Sequence, residues 1–128
     1  MSAWLAVAAG GAIGATLRYA ATTALKGAVP GFPVGTLAIN VIGSFAMGVL
    51  AVVLMERMGG FARWAPFLLT GVLGGFTTFS AFSLDALYLV ERGRMGAAAL
   101  YVGGSVLLSV GALALGLWGA RRLLAEGA

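Results

Sequence analysis

Gly71-Val72-Leu73-Gly74-Gly75-Phe76-Thr77-Thr78-Phe79-Ser80-Ala81-Phe82-Ser83 places a Gly-Gly pair and two consecutive threonines in the middle of a long apolar run. Glycine is a poor helix former and β-branched residues lose side-chain freedom in helices, so a continuous helix is predicted to break here. In lipid such a break leaves backbone amides and carbonyls without partners, and it survives only where protein or an ion satisfies them. The freed carbonyls are oxygen ligands for a hard monovalent cation. Beyond the break, Phe79 and Phe82 are three apart and share one helix face beside Ser80 and Ser83. A phenyl ring has a negative face and a positive edge. Two rings turned edge-on next to hydroxyls can therefore stabilise a small anion without a full positive charge, where a fixed arginine would hold it too tightly for release.

Outward from this stretch the whole chain is apolar: 61% of its 128 residues are hydrophobic and 9% charged, with a mean hydropathy of +1.03. Soluble domains carry roughly a quarter charged residues. This chain has too few to cover a wetted surface, and an integral membrane protein is expected. The charges mark off four apolar segments, approximately 2–24, 36–55, 64–90 and 95–120, with Arg18 inside the first and Asp85 inside the third. Each reaches the roughly 20 residues that a spanning helix needs. None alternates in polarity as a barrel strand would. The expected fold is all-α: a single membrane domain over 1–128 with four transmembrane helices, the third broken. The first segment has no Lys or Arg ahead of its apolar run, and it is read as a span rather than a cleaved leader. Short connections join the segments, and no appended soluble domain is expected.

Absent residue types exclude chemistry. The chain has no cysteine and no histidine, so disulfides, Cys or His metal sites and Ser/His/Asp or Cys/His catalysis are excluded. Enzyme activity is not expected. The net charge of +4 comes from basic residues near the ends of apolar runs, where they read as interfacial anchors and not as a nucleic-acid stripe.

With four spans, Arg57, Arg63, Arg121 and Arg122 lie on one side, and Lys26, Arg92 and Arg94 on the other, joined by Arg18 if it snorkels that way. Positive residues in short loops normally fix orientation. This near-balance fixes none, and an antiparallel homodimer of oppositely inserted copies is expected. Four short helices also enclose little space, so a pathway is more readily built between subunits.

Polar side chains inside the spans fall on faces. Thr36 and Asn40 are four apart, with Gly43 and Ser44 continuing the stripe, and Tyr101, Ser105 and Ser109 follow at i, i+4 and i+8. Such residues are costly in a membrane and mark either function or interhelical bonds. A hydroxyl can return to its own helix carbonyl, whereas the Asn40 carboxamide cannot satisfy itself so easily. The small-xxx-small pairs Gly10/Gly14 and Gly71/Gly75 predict close helix contact, and Gly103, Gly104 and Gly111 are read the same way.

Three blocks, Gly10-Gly11-Ala12-Ile13-Gly14-Ala15-Thr16-Leu17-Arg18-Tyr19, Gly35-Thr36-Leu37-Ala38-Ile39-Asn40-Val41-Ile42-Gly43-Ser44-Phe45 and Gly74 to Ser83, occur in an order that resembles the Fluc (CrcB) fluoride channels. The resemblance spans essentially the whole chain. It implies a dual-topology antiparallel homodimer in the cell (inner) membrane, two passive fluoride pores, and a central structural sodium ion held by backbone carbonyls of Gly74 and Thr77 from both subunits. The ion pathway it implies comprises Asn40, Phe79, Ser80, Phe82, Tyr101, Ser105 and Ser109. Ser80-Ala81 stands where the family commonly has Ser-Thr, and Asp85 where it often has Glu. Arg18 and Asp85 are expected either at a pore mouth or as an interhelical ion pair. The implied partners are a second copy and membrane lipid, with no nucleic acid and no soluble protein. Two other readings share these features: a small multidrug-resistance-type cation exporter, disfavoured because the first segment has no carboxylate, and a non-conducting scaffold.

Overall fold

Ser2 opens the first helix by accepting a hydrogen bond from the Leu5 amide at 3.3 Å, as a short hydroxyl does at an N-cap. In this computed structural model, which describes residues 2–57 and 59–127, α1 covers Ala3–Ala24 and α2 covers Val34–Ala51. Met1, Met58 and Ala128 of the expected 1–128 domain lie outside the described residues. The α2 helix continues as wider π-helix over Val52–Arg57, and a 3-10 segment, Gly59–Trp64, leads into a second π-helical stretch, Pro66–Leu73. The short α3 (Gly74–Phe76) prolongs that stretch up to the break, α4 covers Phe79–Glu91 and α5 covers Met95–Glu126. Among the described residues there is no strand.

Val34–Arg57, Pro66–Glu91 and Met95–Glu126 are each long and apolar enough to cross a membrane. The 22-residue α1 has spanning length but carries Arg18 along with glycines and threonines, and it is less apolar than the other three. α5 runs six residues past the expected Ala120, because Arg121 to Glu126 are helical. The first half of the third segment is π-helical rather than α-helical, a form often found as a local widening at functional sites.

Glycines set the packing. A Cβ at Gly14 would run into the Val72 carbonyl, and one at Gly71 would lie 2.9 Å from the Gly10 Cα. α1 and the third segment therefore touch backbone to backbone, running parallel, as the two small-xxx-small pairs predict. α2 and α5 make the other close pair, with Gly48 against Leu113 and Gly116 against Phe45. Arg121 joins Glu56 at 2.7 Å at the end of that pair, which puts the ends of α2 and α5 on the same side. By contrast, a Cβ at Gly103, Gly104 or Gly111 would meet nothing within 4 Å, so within one chain these three do not serve helix contact. The innermost side chains are Ile39, Val52 and Tyr101.

Candidate functional site: a polar groove at a helix break

Thr77 (φ −85°, ψ 156°) and Thr78 (φ −151°, ψ 122°) are extended, and the helix stops between Phe76 and Phe79. Each freed backbone group then needs a partner. The Leu73 carbonyl accepts from both the Thr77 amide, at 3.0 Å, and the Thr77 hydroxyl, at 2.9 Å. Asn40 faces Thr78 as a second backbone would: its Oδ1 accepts from the Thr78 amide at 2.8 Å and its Nδ2 donates to the Thr78 carbonyl at 3.0 Å. Thr78 Oγ1 in turn accepts from the Ala81 amide at 3.1 Å and caps α4. Arg18 Nε donates to the Gly75 carbonyl at 3.0 Å. Among the described residues no hydrogen bond reaches the carbonyls of Gly74 or Thr77. Two unspent carbonyl oxygens are hard donors of the kind that alkali cations take.

Beside the break runs an open groove of about 390 Å³, lined by Asn40, Ser44, Phe79, Phe82, Ser105 and Ser109 among others. The two rings lie 5.4 Å apart at 43°. Phe79 is 79% exposed in the single chain. Several hydroxyls in the spans return to their own helix: Thr16 donates to Ala12, Thr22 to Arg18 and Ser83 to Phe79, at 2.7 to 2.9 Å. Ser105 and Ser109 do not. Their Oγ atoms are buried and have no partner, although both residues line the groove. Buried polar groups are nearly always paired, and an orphan calls for an explanation.

Tyr101 is fully buried and not in the groove wall; its hydroxyl donates to Asp85 Oδ2 at 3.2 Å. Its ring packs 5.3 Å from Phe82 and edge-on to Phe32 at 5.6 Å. On the far side of this aromatic stack, a second concavity of about 330 Å³ is lined by Asp85, Lys26 and Arg92, with Phe32 and Tyr88.

A family model described as "CrcB-like protein, Camphor Resistance (CrcB)" matches residues 5–117. The chain belongs to the CrcB family. It is 54% identical over 126 residues to a fluoride-specific ion channel FluC of Cereibacter sphaeroides, covering 98% of this chain and 99% of that one. It is 52% identical over 122 residues to the Paracoccus denitrificans FluC, covering 95% and 97%, and 48% identical over 112 residues to that of Agrobacterium fabrum, covering 87% and 90%. With its long apolar helices, this CrcB chain is a multi-pass integral membrane protein.

Of the side chains singled out in the sequence, the groove brings together Asn40, Phe79, Phe82, Ser105 and Ser109. Ser80 is turned aside: it is not among the lining residues, and its hydroxyl lies 3.2 Å from Thr78 Oγ1. Arg18 and Asp85 do not form an ion pair with each other, one of the two arrangements expected of them. The arginine is spent on the Gly75 carbonyl and the aspartate on Tyr101, and Arg121–Glu56 is the one salt bridge among the described residues. Asp85 lines the second concavity together with Lys26 and Arg92. Sequence reading missed Thr78 as the cap and partner of Asn40. The signal was there, since a Thr three residues before a helical amide is a common N-cap. It also missed Phe32, which no local pattern marks.

Proposed function

We propose that this protein is a passive, fluoride-selective channel that lets fluoride out of the cell down its electrochemical gradient. The observation that carries the reading is the pair of buried, unpartnered hydroxyls of Ser105 and Ser109, in the same groove as the Phe79 and Phe82 rings and the Asn40 carboxamide. Moving even a carboxylate-sized ion from water to low dielectric costs on the order of 20 kcal/mol in the idealised limit. A smaller halide needs replacement donors at every step. The two hydroxyls supply O–H donors, the ring edges supply positive rims, and Asn40 has a second Nδ2 hydrogen beyond the one given to Thr78. Lys26 and Arg92 at the other concavity would gather anions at the mouth, with Asp85 and the Tyr101–Phe82 stack between the two openings.

The groove is open on one side, and Phe79 faces outward. A second copy would close it, so we propose an antiparallel homodimer with two such pathways. The unspent carbonyls of Gly74 and Thr77, taken from both copies, fit a sodium ion at the centre. Bound there, the ion would fasten the subunits and contribute positive potential, while the chain's own donors carry the anion. No hydrolysable nucleotide or proton carrier is required.

Purified protein in liposomes tests this reading. Fluoride efflux far faster than chloride efflux from the same vesicles is the expected result. Equal rates for the two ions would remove the selectivity, and no flux of either would favour a scaffold.

A further inference from the structure

The three tryptophans, Trp4, Trp64 and Trp118, are all exposed, and all sit on one side of the molecule. Gly10 lies against Phe67, which sets the start of α1 level with the start of the third segment, and Glu56–Arg121 sets the end of α2 level with the end of α5. Indole rings concentrate where apolar chains give way to headgroups, so this side carries an interfacial belt.

Within the belt, the last turns of α5 form a shallow concavity of about 360 Å³ lined by Ala114, Leu117, Trp118, Arg121, Arg122 and Ala125. Its two arginines differ. Arg121 is matched by Glu56 at 2.7 Å. Arg122 has no acidic partner among the described residues, Glu126 one turn on included, and its guanidinium rests over the Trp118 ring at 5.4 Å. Stacking on the indole holds the planar fork in place while leaving its N–H groups unspent. That fork matches the paired oxygens of a phosphate. Below it, Ala114 and Leu117 give an apolar floor one to two turns deeper along the helix.

We infer that this concavity holds an anionic phospholipid, its phosphate on Arg122, its glycerol region against Trp118 and an acyl chain along Ala114 and Leu117. Charge complementarity selects the occupant: an uncompensated cation at headgroup depth above an apolar strip suits a negatively charged lipid. At the opposite end of the molecule, Arg92 also rests over a ring, Tyr88 at 5.7 Å, but its concavity is shared with Asp85 and with a second cation, Lys26, so no single stacked guanidinium stands alone there as Arg122 does.

Tryptophan quenching reads this out. The protein is reconstituted in phosphatidylcholine vesicles that contain a minor fraction of brominated phosphatidylglycerol or, separately, of brominated phosphatidylcholine, and the signal of the Trp118→Phe variant is subtracted to isolate Trp118. Brominated phosphatidylglycerol is expected to occupy the site about fivefold more readily, as one basic side chain near the surface provides. The preference is expected to vanish in Arg122→Gln and to persist in Arg92→Gln. Equal quenching by the two lipids, or a preference unchanged in Arg122→Gln, would overturn the inference. The chain has no cysteine, so Ala114→Cys supplies a single thiol. Disulfide-linked dimers through that position would show a second copy, not lipid, on this face and would overturn it as well.

Discussion

The two close-packed halves of this molecule use the same small vocabulary to opposite ends. Where α1 meets the third segment, Gly10 and Gly14 lie against Gly71 and Val72 with no room for a methyl group, and elsewhere on α1 Thr16 and Thr22 turn their hydroxyls back onto their own helix. Where α2, α4 and α5 meet, a groove stays open and the Ser105 and Ser109 hydroxyls stay unpaired. Glycine and serine therefore do not by themselves announce packing or passage. What separates the halves is the fate of their hydroxyls: those of Thr16 and Thr22 have partners inside the chain, and those of Ser105 and Ser109 do not. The contact of α1 with the third segment closes backbone to backbone, and the groove stays open.

Substitutions can break or sharpen that contrast. The largest effect is expected from Asn40→Leu, which strands the Thr78 amide and carbonyl at membrane depth. At roughly 1–3 kcal/mol for each unsatisfied buried group, the expected loss is about 2–6 kcal/mol, checked by thermal unfolding in detergent, with flux abolished. Next comes Gly14→Val in the closed half, where the new side chain must displace the Val72 backbone. Overpacking costs typically about 1–3 kcal/mol, and thermal unfolding should register it. A fluoride electrode should show flux per folded protein largely kept, because the groove is built elsewhere.

The sharpest pair is Ser109→Ala against Ser83→Ala. Removing the groove hydroxyl should slow fluoride efflux about tenfold, the equivalent of ~1.4 kcal/mol of barrier, without loss of thermal stability, since an unpaired buried group is removed with it. Removing Ser83, whose hydroxyl already donates to Phe79, should leave efflux unchanged. The smallest effect is expected from Tyr101→Phe, which deletes one hydrogen bond to Asp85, worth about 0.5–1.5 kcal/mol and visible as a modest fall in unfolding temperature.

How much of this could be read from residues alone depends on whether the deciding partner is local. The break was legible, because Gly74-Gly75 and Thr77-Thr78 weaken a helix by their own conformational preferences. The glycine contact of α1 with the third segment was legible too, since a four-residue spacing of small residues defines a face. The partners across space were not. Periodicity put Asn40 on a polar face but could not show that its carboxamide is committed to Thr78 on both sides. The same limit hid the turn of Ser80 toward Thr78 and the division of Arg18 and Asp85 between Gly75 and Tyr101. Two opposite charges inside apolar segments suggest an ion pair, yet Arg18 donates to a carbonyl freed by the break and Asp85 accepts from a phenol. Nor does sequence pattern separate π-helix from α-helix over Pro66–Leu73, because both keep one stripe of residues inward.

The most direct test is fluoride efflux from liposomes bearing the Ser105→Ala/Ser109→Ala double variant, compared with the unsubstituted chain at equal amounts of folded protein. If those hydroxyls stand in for the water that the anion leaves behind, efflux falls by more than the roughly tenfold expected of the single Ser109→Ala variant, while the protein stays folded. Efflux at the unsubstituted rate would contradict the account.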